Sequence, residues 1–177
     1  MRIPYRNALF ICFGKNKQFR SFEFAQRLLW SEGRAILKVG IIGGGRVGSR
    51  LAARLREAGV LAGITAASEQ HSAQLARQFG VPATDNAKLW QTADVLLLTV
   101  PDRLIGTVAE ELAQSVTPAA KVVLHVSGSV GLEPLALLTQ LGAHVGSLHP
   151  LQSFAGGNTQ LAGVYMALDG DSEAQDA

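Results

Sequence analysis

The stretch Lys38–Ser49, KVGIIGGGRVGS, constrains the fold of this chain more than any other. A short apolar strand (Val39, Ile41, Ile42) runs into G-x-G-x-x-G at Gly43, Gly45 and Gly48. Val47, Leu51, Leu55 and Ala58 then recur at the spacing of one apolar helix face. Each glycine has a physical task in a strand–turn–helix of this kind. Gly43 permits the tight turn, Gly45 lets backbone approach a ligand without an intervening side chain, and Gly48 allows helix to pack closely on strand. The free N–H groups opening such a helix face outward, where the helix dipole also favours negative charge. Strand, turn and helix together therefore predict a nucleotide-diphosphate site formed by Gly43, Gly44, Gly45, Arg46, Val47 and Gly48.

A chain of 177 residues, 47% hydrophobic and 17% charged, is long enough and apolar enough for one domain with a sizeable core. The single cysteine, Cys12, allows no internal disulfide and points to a reducing, cytoplasmic setting. No apolar run approaches the ~20 residues of a membrane helix.

The net charge of +2 conceals a split. Residues 1–37 hold seven Lys/Arg against Glu23 and Glu32, a balance of +5, and the remainder carries −3. Seven of the eleven aromatic residues also precede residue 38. This shift marks a boundary. Residues 1–37 read as a basic extension outside the domain, with one amphipathic helix near Ser21–Ser31. Ala8–Phe13 is too short for a secretory signal core. Basic and aromatic content of this kind also suits nucleic acid or anionic lipid, but the plainer reading is an extension with no such partner.

From Lys38 the pattern alternates strand and helix. Strands are expected at Val60–Ala66, Gly80–Pro82, Asp94–Val100, Lys121–Val126, Ala143–Leu148 and Val164–Leu168. Helices are expected from Ser68 to Phe79, over Asn86–Gln91, after Pro101–Asp102 and over Glu133–Leu141. The run DVLLLTV suits a parallel strand buried on both faces. The fold class is α/β, a doubly wound, mostly parallel sheet spanning residues 38–170. Residues 171–177 read as a polar tail that frays.

Ligands bind such sheets at the carboxyl ends of the strands. An NAD enzyme places Asp or Glu at the end of strand two to accept from the ribose hydroxyls. Here that position is Thr65-Ala66-Ala67-Ser68, with Glu69 just beyond. Without a carboxylate to repel a 2′-phosphate, NADP is favoured over NAD, and the same absence counts against FAD and S-adenosylmethionine. Ser68, His71 and Arg46 are the candidate partners of that phosphate. Val100 and Pro101 close the next strand beside the other half of the cofactor, and Asp102 reads as a helix N-cap. Ser127, followed by Gly128, is placed to hydrogen-bond a small substrate's carbonyl or hydroxyl. His149 follows strand six, where imidazole exchanges a proton as hydride moves; a satisfied structural histidine is the alternative.

The ordered set GIIGGGRVG, LLLTVPD, HVSG and GSLHPLQSF resembles Rossmann-like oxidoreductases whose C-terminal half is catalogued only as a domain of unknown function. More distantly it is similar to prephenate dehydrogenase, pyrroline-5-carboxylate reductase and deazaflavin-dependent NADP reductase. The resemblance covers residues 38 to about 170. It implies hydride transfer between NADP(H) and a small oxo, hydroxy or imine substrate, with the proton role on His149 and Ser127 beside it. Many members carry Arg after strand two, where this chain has Ala67. Members also continue into a helical, dimerising domain, so a homodimer or a separate helical-domain chain is an expected partner.

Other chemistries fit less well. The window Ser127-Gly128-Ser129-Val130-Gly131 lacks the spacing of a hydrolase nucleophile elbow. His125, His144 and His149 lack a zinc-ligand spacing, so no metal is expected. The rival from a different class is a non-catalytic NAD(P)-binding or redox-sensing module, or an inactive half of a two-domain enzyme.

Overall fold

The computed structural model describes residues 10–13, 19–21, 37–152 and 164–176. Its elements are β1 (Phe10–Phe13), β2 (Phe19–Ser21), β3 (Val39–Ile42), α1 (Arg46–Glu57), β4 (Leu61–Thr65), α2 (Glu69–Phe79), α3 (Asn86–Thr92), β5 (Val95–Leu98), α4 (Ile105–Ser115), β6 (Val122–His125), α5 (Ala136–Gln140), β7 (His144–Pro150), β8 (Tyr165–Gly170) and α6 (Ser172–Asp176). Short 3-10 turns, Asp102–Leu104 and Glu133–Leu135, lead into α4 and α5. Among the described residues no helix is long and apolar enough to cross a membrane.

One eight-stranded sheet runs in the order β2-β1-β8-β7-β6-β5-β3-β4. The block from β4 to β7 is parallel throughout, and β8 returns antiparallel to β7. Every residue of β3 and β5 is buried, because helices cover both faces of a parallel sheet. Side chains alternate between two cores accordingly. Val95 and Leu97 pack with Leu51 and Ala52 of α1, Leu75 and Phe79 of α2, and Ala174 of α6. Leu96 and Leu98 pack on the other face with Leu89 and Trp90 of α3, Ile105 and Leu112 of α4, and Leu138 of α5. This is the doubly wound α/β sandwich that the alternating pattern predicts.

Four details differ from the sequence reading. Gly80–Pro82 is not a strand. Gly80 ends α2 in the left-handed conformation at φ 64°, and the N–H groups of Gly80 and Val81 cap Arg77 O and Ala76 O, so neither joins a ladder. Ala58 does not belong to the buried face of α1; it is the exposed C-cap, and Ala52 takes the inner position. In the tail, residues 172–176 form α6, where Asp171 Oδ1 accepts from Ala174 N at 2.8 Å and Ala174 is buried. Within the basic extension, β1 pairs in parallel with β8, and β2 pairs with β1. These two segments therefore continue the sheet edge, while residues 22–31 of the expected helix lie outside the described residues.

Candidate functional site

The chain leaves β3 toward β4 on one side and resumes in β5 on the other. That reversal opens a crevice at the carboxyl ends of β3 and β5, and the glycine turn occupies it. Gly43 has φ +121°, and a Cβ there would lie 2.7 Å from the Thr99 carbonyl. A side chain is thus excluded on both conformational and spatial grounds. A Cβ on Gly48 would run into Gly43 O and the Thr99 hydroxyl, so the first turn of α1 lies directly on the strand end. Thr99 itself is buried, and its Oγ1 donates to Gly43 O at 2.6 Å. This brace on the turn has no local sequence pattern, since the two residues are 56 positions apart.

Gly45 differs from its neighbours. It is the N-cap of α1, makes no side-chain cap, and a Cβ there would meet nothing within 4 Å. The first turn of α1 has no acidic residue, and its leading N–H groups have no intrahelical acceptor. Arg46 beside it is exposed. Open space, outward N–H groups and the positive end of a helix dipole fit a diphosphate.

At the end of β4, Thr65 Oγ1 donates to Asn86 Oδ1 at 2.6 Å. Ser72 Oγ accepts from Ala66 N at 2.8 Å and fixes the turn that follows. A groove of about 800 Å³ borders this end, lined in part by Thr65, Ala66, Thr84 and Asn86. Ser68 is exposed but already employed: its side chain caps α2 by accepting from His71 N at 3.2 Å. The 2′-phosphate candidates Ser68, His71 and Arg46 are all solvent-facing.

Past β5 the chain turns at Val100 and Pro101, against which Gly43 is packed through the Thr99–Val100 peptide. Asp102 is not an N-cap. The 3-10 turn it opens has no side-chain cap, and Asp102 Oδ2 accepts instead from Ser129 Oγ at 2.8 Å. The carboxylate is drawn to the β6 loop because the Ser129 hydroxyl offers a donor there.

That loop, residues 126–131, is held from inside. His125 is fully buried, with Nε2 3.1 Å from Gly131 O and Nδ1 accepting from Ser127 N at 3.3 Å. A carbonyl can only accept, so Nε2 carries the hydrogen and the ring is neutral. Burial pushes the His125 pKa below its ordinary value, against the raising effects of the Gly131 bond and the Asp102 charge. Ser127 is also buried, and its Oγ accepts from Ser129 N and Val130 N, each at 3.2 Å. Ser127 thus shapes its own loop, a role the sequence reading missed.

His149, near the end of β7, has Nδ1 3.1 Å from Val126 O. By the same argument Nδ1 carries a hydrogen and donates it to Val126 O. Among the described residues Nε2 has no hydrogen-bond partner, and it lies over Gly128, where a Cβ would sit 2.5 Å from it. His144 lies elsewhere, at the start of β7, 3.4 Å from Asp171. The three histidines therefore do not meet.

The model of the Rossmann-like domain family matches residues 31–150 of this chain. No curated protein sequence matches it. Among solved structures, Synechocystis arogenate dehydrogenase is similar at 24% identity and TM-score 0.63, over 78% of this chain and 51% of that one. A pyrroline-5-carboxylate reductase from Coxiella burnetii matches at 23% identity and TM-score 0.60, over 77% and 50%. The Aspergillus terreus reductive aminase, solved with NADPH and ethyl levulinate, matches at 16% identity and TM-score 0.55, over 67% and 42%. The chain spans about half the length of these structures or less.

Proposed function

Because this chain belongs to the Rossmann-like domain family, we propose that it is the NADP-binding half of a hydride-transferring oxidoreductase. The observation that carries the reading is His149. Its Nε2, which has no hydrogen-bond partner among the described residues, lies at the carboxyl ends of the strands, as does the open glycine turn. The strands β3 and β7 are three spacings apart, about 14 Å, so a ligand touching both ends must be extended, as a dinucleotide is.

In this reading the N–H groups at Gly45–Gly48 grip the diphosphate, and Val100 and Pro101 flank the nicotinamide half. A bound nicotinamide supplies or accepts the hydride. His149 handles the accompanying proton. Its Nε2 takes the proton from a substrate hydroxyl as the carbon is oxidised, and the imidazolium returns one to the oxygen or nitrogen when an oxo or imine group is reduced. The Val126 carbonyl fixes the tautomer that presents Nε2. NADP is preferred to NAD because Thr65-Ala66-Ala67-Ser68 places no carboxylate against a 2′-phosphate, with Arg46 and His71 exposed nearby.

Turnover of NADPH with small oxo acids and imines, and of NADP with hydroxy acids, tests this. Activity in the unaltered chain and its loss in His149→Ala support the enzyme. Binding without turnover under every condition supports instead a non-catalytic NAD(P)-binding module.

A further inference from the structure

We infer that Asp102 is a positioning residue, which through Ser129 sets the direction in which the Ser127 hydroxyl donates. The inference rests on the hydride-transfer reading for its consequence, but its structural part stands alone. Ser129 Oγ lies 2.8 Å from Asp102 Oδ2 and 3.3 Å from Ser127 Oγ. A hydroxyl has one hydrogen, and a carboxylate only accepts. Ser129 must therefore donate to Asp102, the shorter and charge-assisted bond. What remains on Ser129 Oγ toward Ser127 is a lone pair, so Ser127 is the donor of the second bond.

The consequence for Ser127 is specific. Its hydrogen is directed to Ser129, and its oxygen accepts from Ser129 N and Val130 N. The buried hydroxyl is thereby fully engaged, and the loop it closes presents Gly128 to the His149 ring. With Asp102 removed, Ser129 can turn its hydrogen toward Ser127 Oγ, and the Ser127 hydrogen is released to point elsewhere. The chain Asp102–Ser129–Ser127 begins at an exposed carboxylate on the 3-10 turn after β5 and ends at a buried hydroxyl after β6. Two neighbouring strand ends are thus tied together across the region where substrate must lie. Neither strand periodicity nor helix capping requires this link.

The test compares Ser129→Ala, Asp102→Ala, Asp102→Asn and the Ser129→Ala/Asp102→Ala double variant in the full chain. Two readouts are used: the turnover number, and the NMR resonances of the Ser127 and Val130 amides and of the His149 ring. Residues acting in one chain give non-additive effects. The expected result is a loss of about tenfold in turnover in each Ala variant and no further loss in the double. Shifts of the Ser127, Val130 and His149 resonances should also coincide in the two single variants. Asp102→Asn, which keeps one acceptor oxygen, should fall between the unaltered chain and Asp102→Ala. Ser129 is exposed, so Ser129→Ala tests the link even where an Asp102 variant folds poorly. Multiplying losses, or Ser127, Val130 and His149 resonances unmoved by Ser129→Ala, would overturn the inference. Should no condition give turnover, coincident resonance shifts still support the Asp102 link while the hydride-transfer reading fails.

Discussion

Gly128 and His149 are packed so that the glycine's missing side chain is what admits the imidazole: a Cβ on Gly128 would lie 2.5 to 2.7 Å from Nε2, Cδ2 and Cε1 of the ring. Gly128 lies in the loop that follows β6 and His149 in β7, and these adjacent parallel strands bring the two to one point. The ring is held on its other side by Val126 O, so its place is fixed by two residues of the same loop.

Gly128→Ala therefore acts on the ring rather than on the core. The ring yields more cheaply than backbone but gives up its Val126 bond in doing so, so unfolding free energy should fall by about 0.5–1.5 kcal/mol. Turnover should nevertheless fall at least tenfold, because the ring cannot move without losing the Val126 contact that sets its tautomer. Paired thermal melts and initial rates check this.

The glycine turn separates structural from ligand-binding roles. In Gly48→Ala the new methyl meets the Gly43 carbonyl and the Thr99 hydroxyl, one of them rigid backbone. A loss of about 1–3 kcal/mol is expected, as for overpacking elsewhere. Gly45→Ala meets nothing, and its cost should stay within about 1 kcal/mol, the usual difference at an N-cap. Chemical denaturation should rank Gly48→Ala well below Gly45→Ala, which in turn should stay close to the unaltered chain.

Thr99→Val keeps the shape of the brace and removes its hydrogen bond to Gly43 O. Leaving a buried carbonyl without that donor costs about 1–3 kcal/mol. The midpoint of urea unfolding should fall accordingly, with an unchanged slope.

His125 gives the stability a pH dependence of known sign. Its pKa is lowered in the folded chain by burial, so on acidification the unfolded chain takes up the proton first. The contribution is fully present above the ordinary histidine value of about 6.5 and is lost as pH falls through the lower folded value. Comparing the unfolding free energy of the unaltered chain with His125→Asn across that window should show the acid-side loss shrinking in the variant.

Much of this was legible in the residues, for physical reasons. The glycine turn announces itself because a tight turn, a close approach and a helix start must occupy neighbouring positions, Gly43 to Gly48. The buried strand β5 is legible because burial on both faces demands an unbroken apolar run. What sequence did not reveal are contacts made by the crossing of distant strand ends. Thr99 to Gly43, Asp102 to Ser129 and His149 to Val126 are separated by 56, 27 and 23 positions, and no periodicity links such pairs. Asp102 was misread because an acid at a helix start normally caps it, and here the nearer donor is a hydroxyl on another loop. Gly80–Pro82 was misread because a short apolar pair after glycine suits a strand as well as a helix cap.

The central claim is that main-chain N–H groups at an open turn grip a dinucleotide, and calorimetric titration of NADPH and NADH into the unaltered chain and Gly45→Ala tests it most directly. The account predicts saturable NADPH binding, tighter than NADH by roughly tenfold or 1.4 kcal/mol, and its loss in the stable Gly45→Ala variant. No binding of either dinucleotide, or equal affinity in Gly45→Ala, would contradict it.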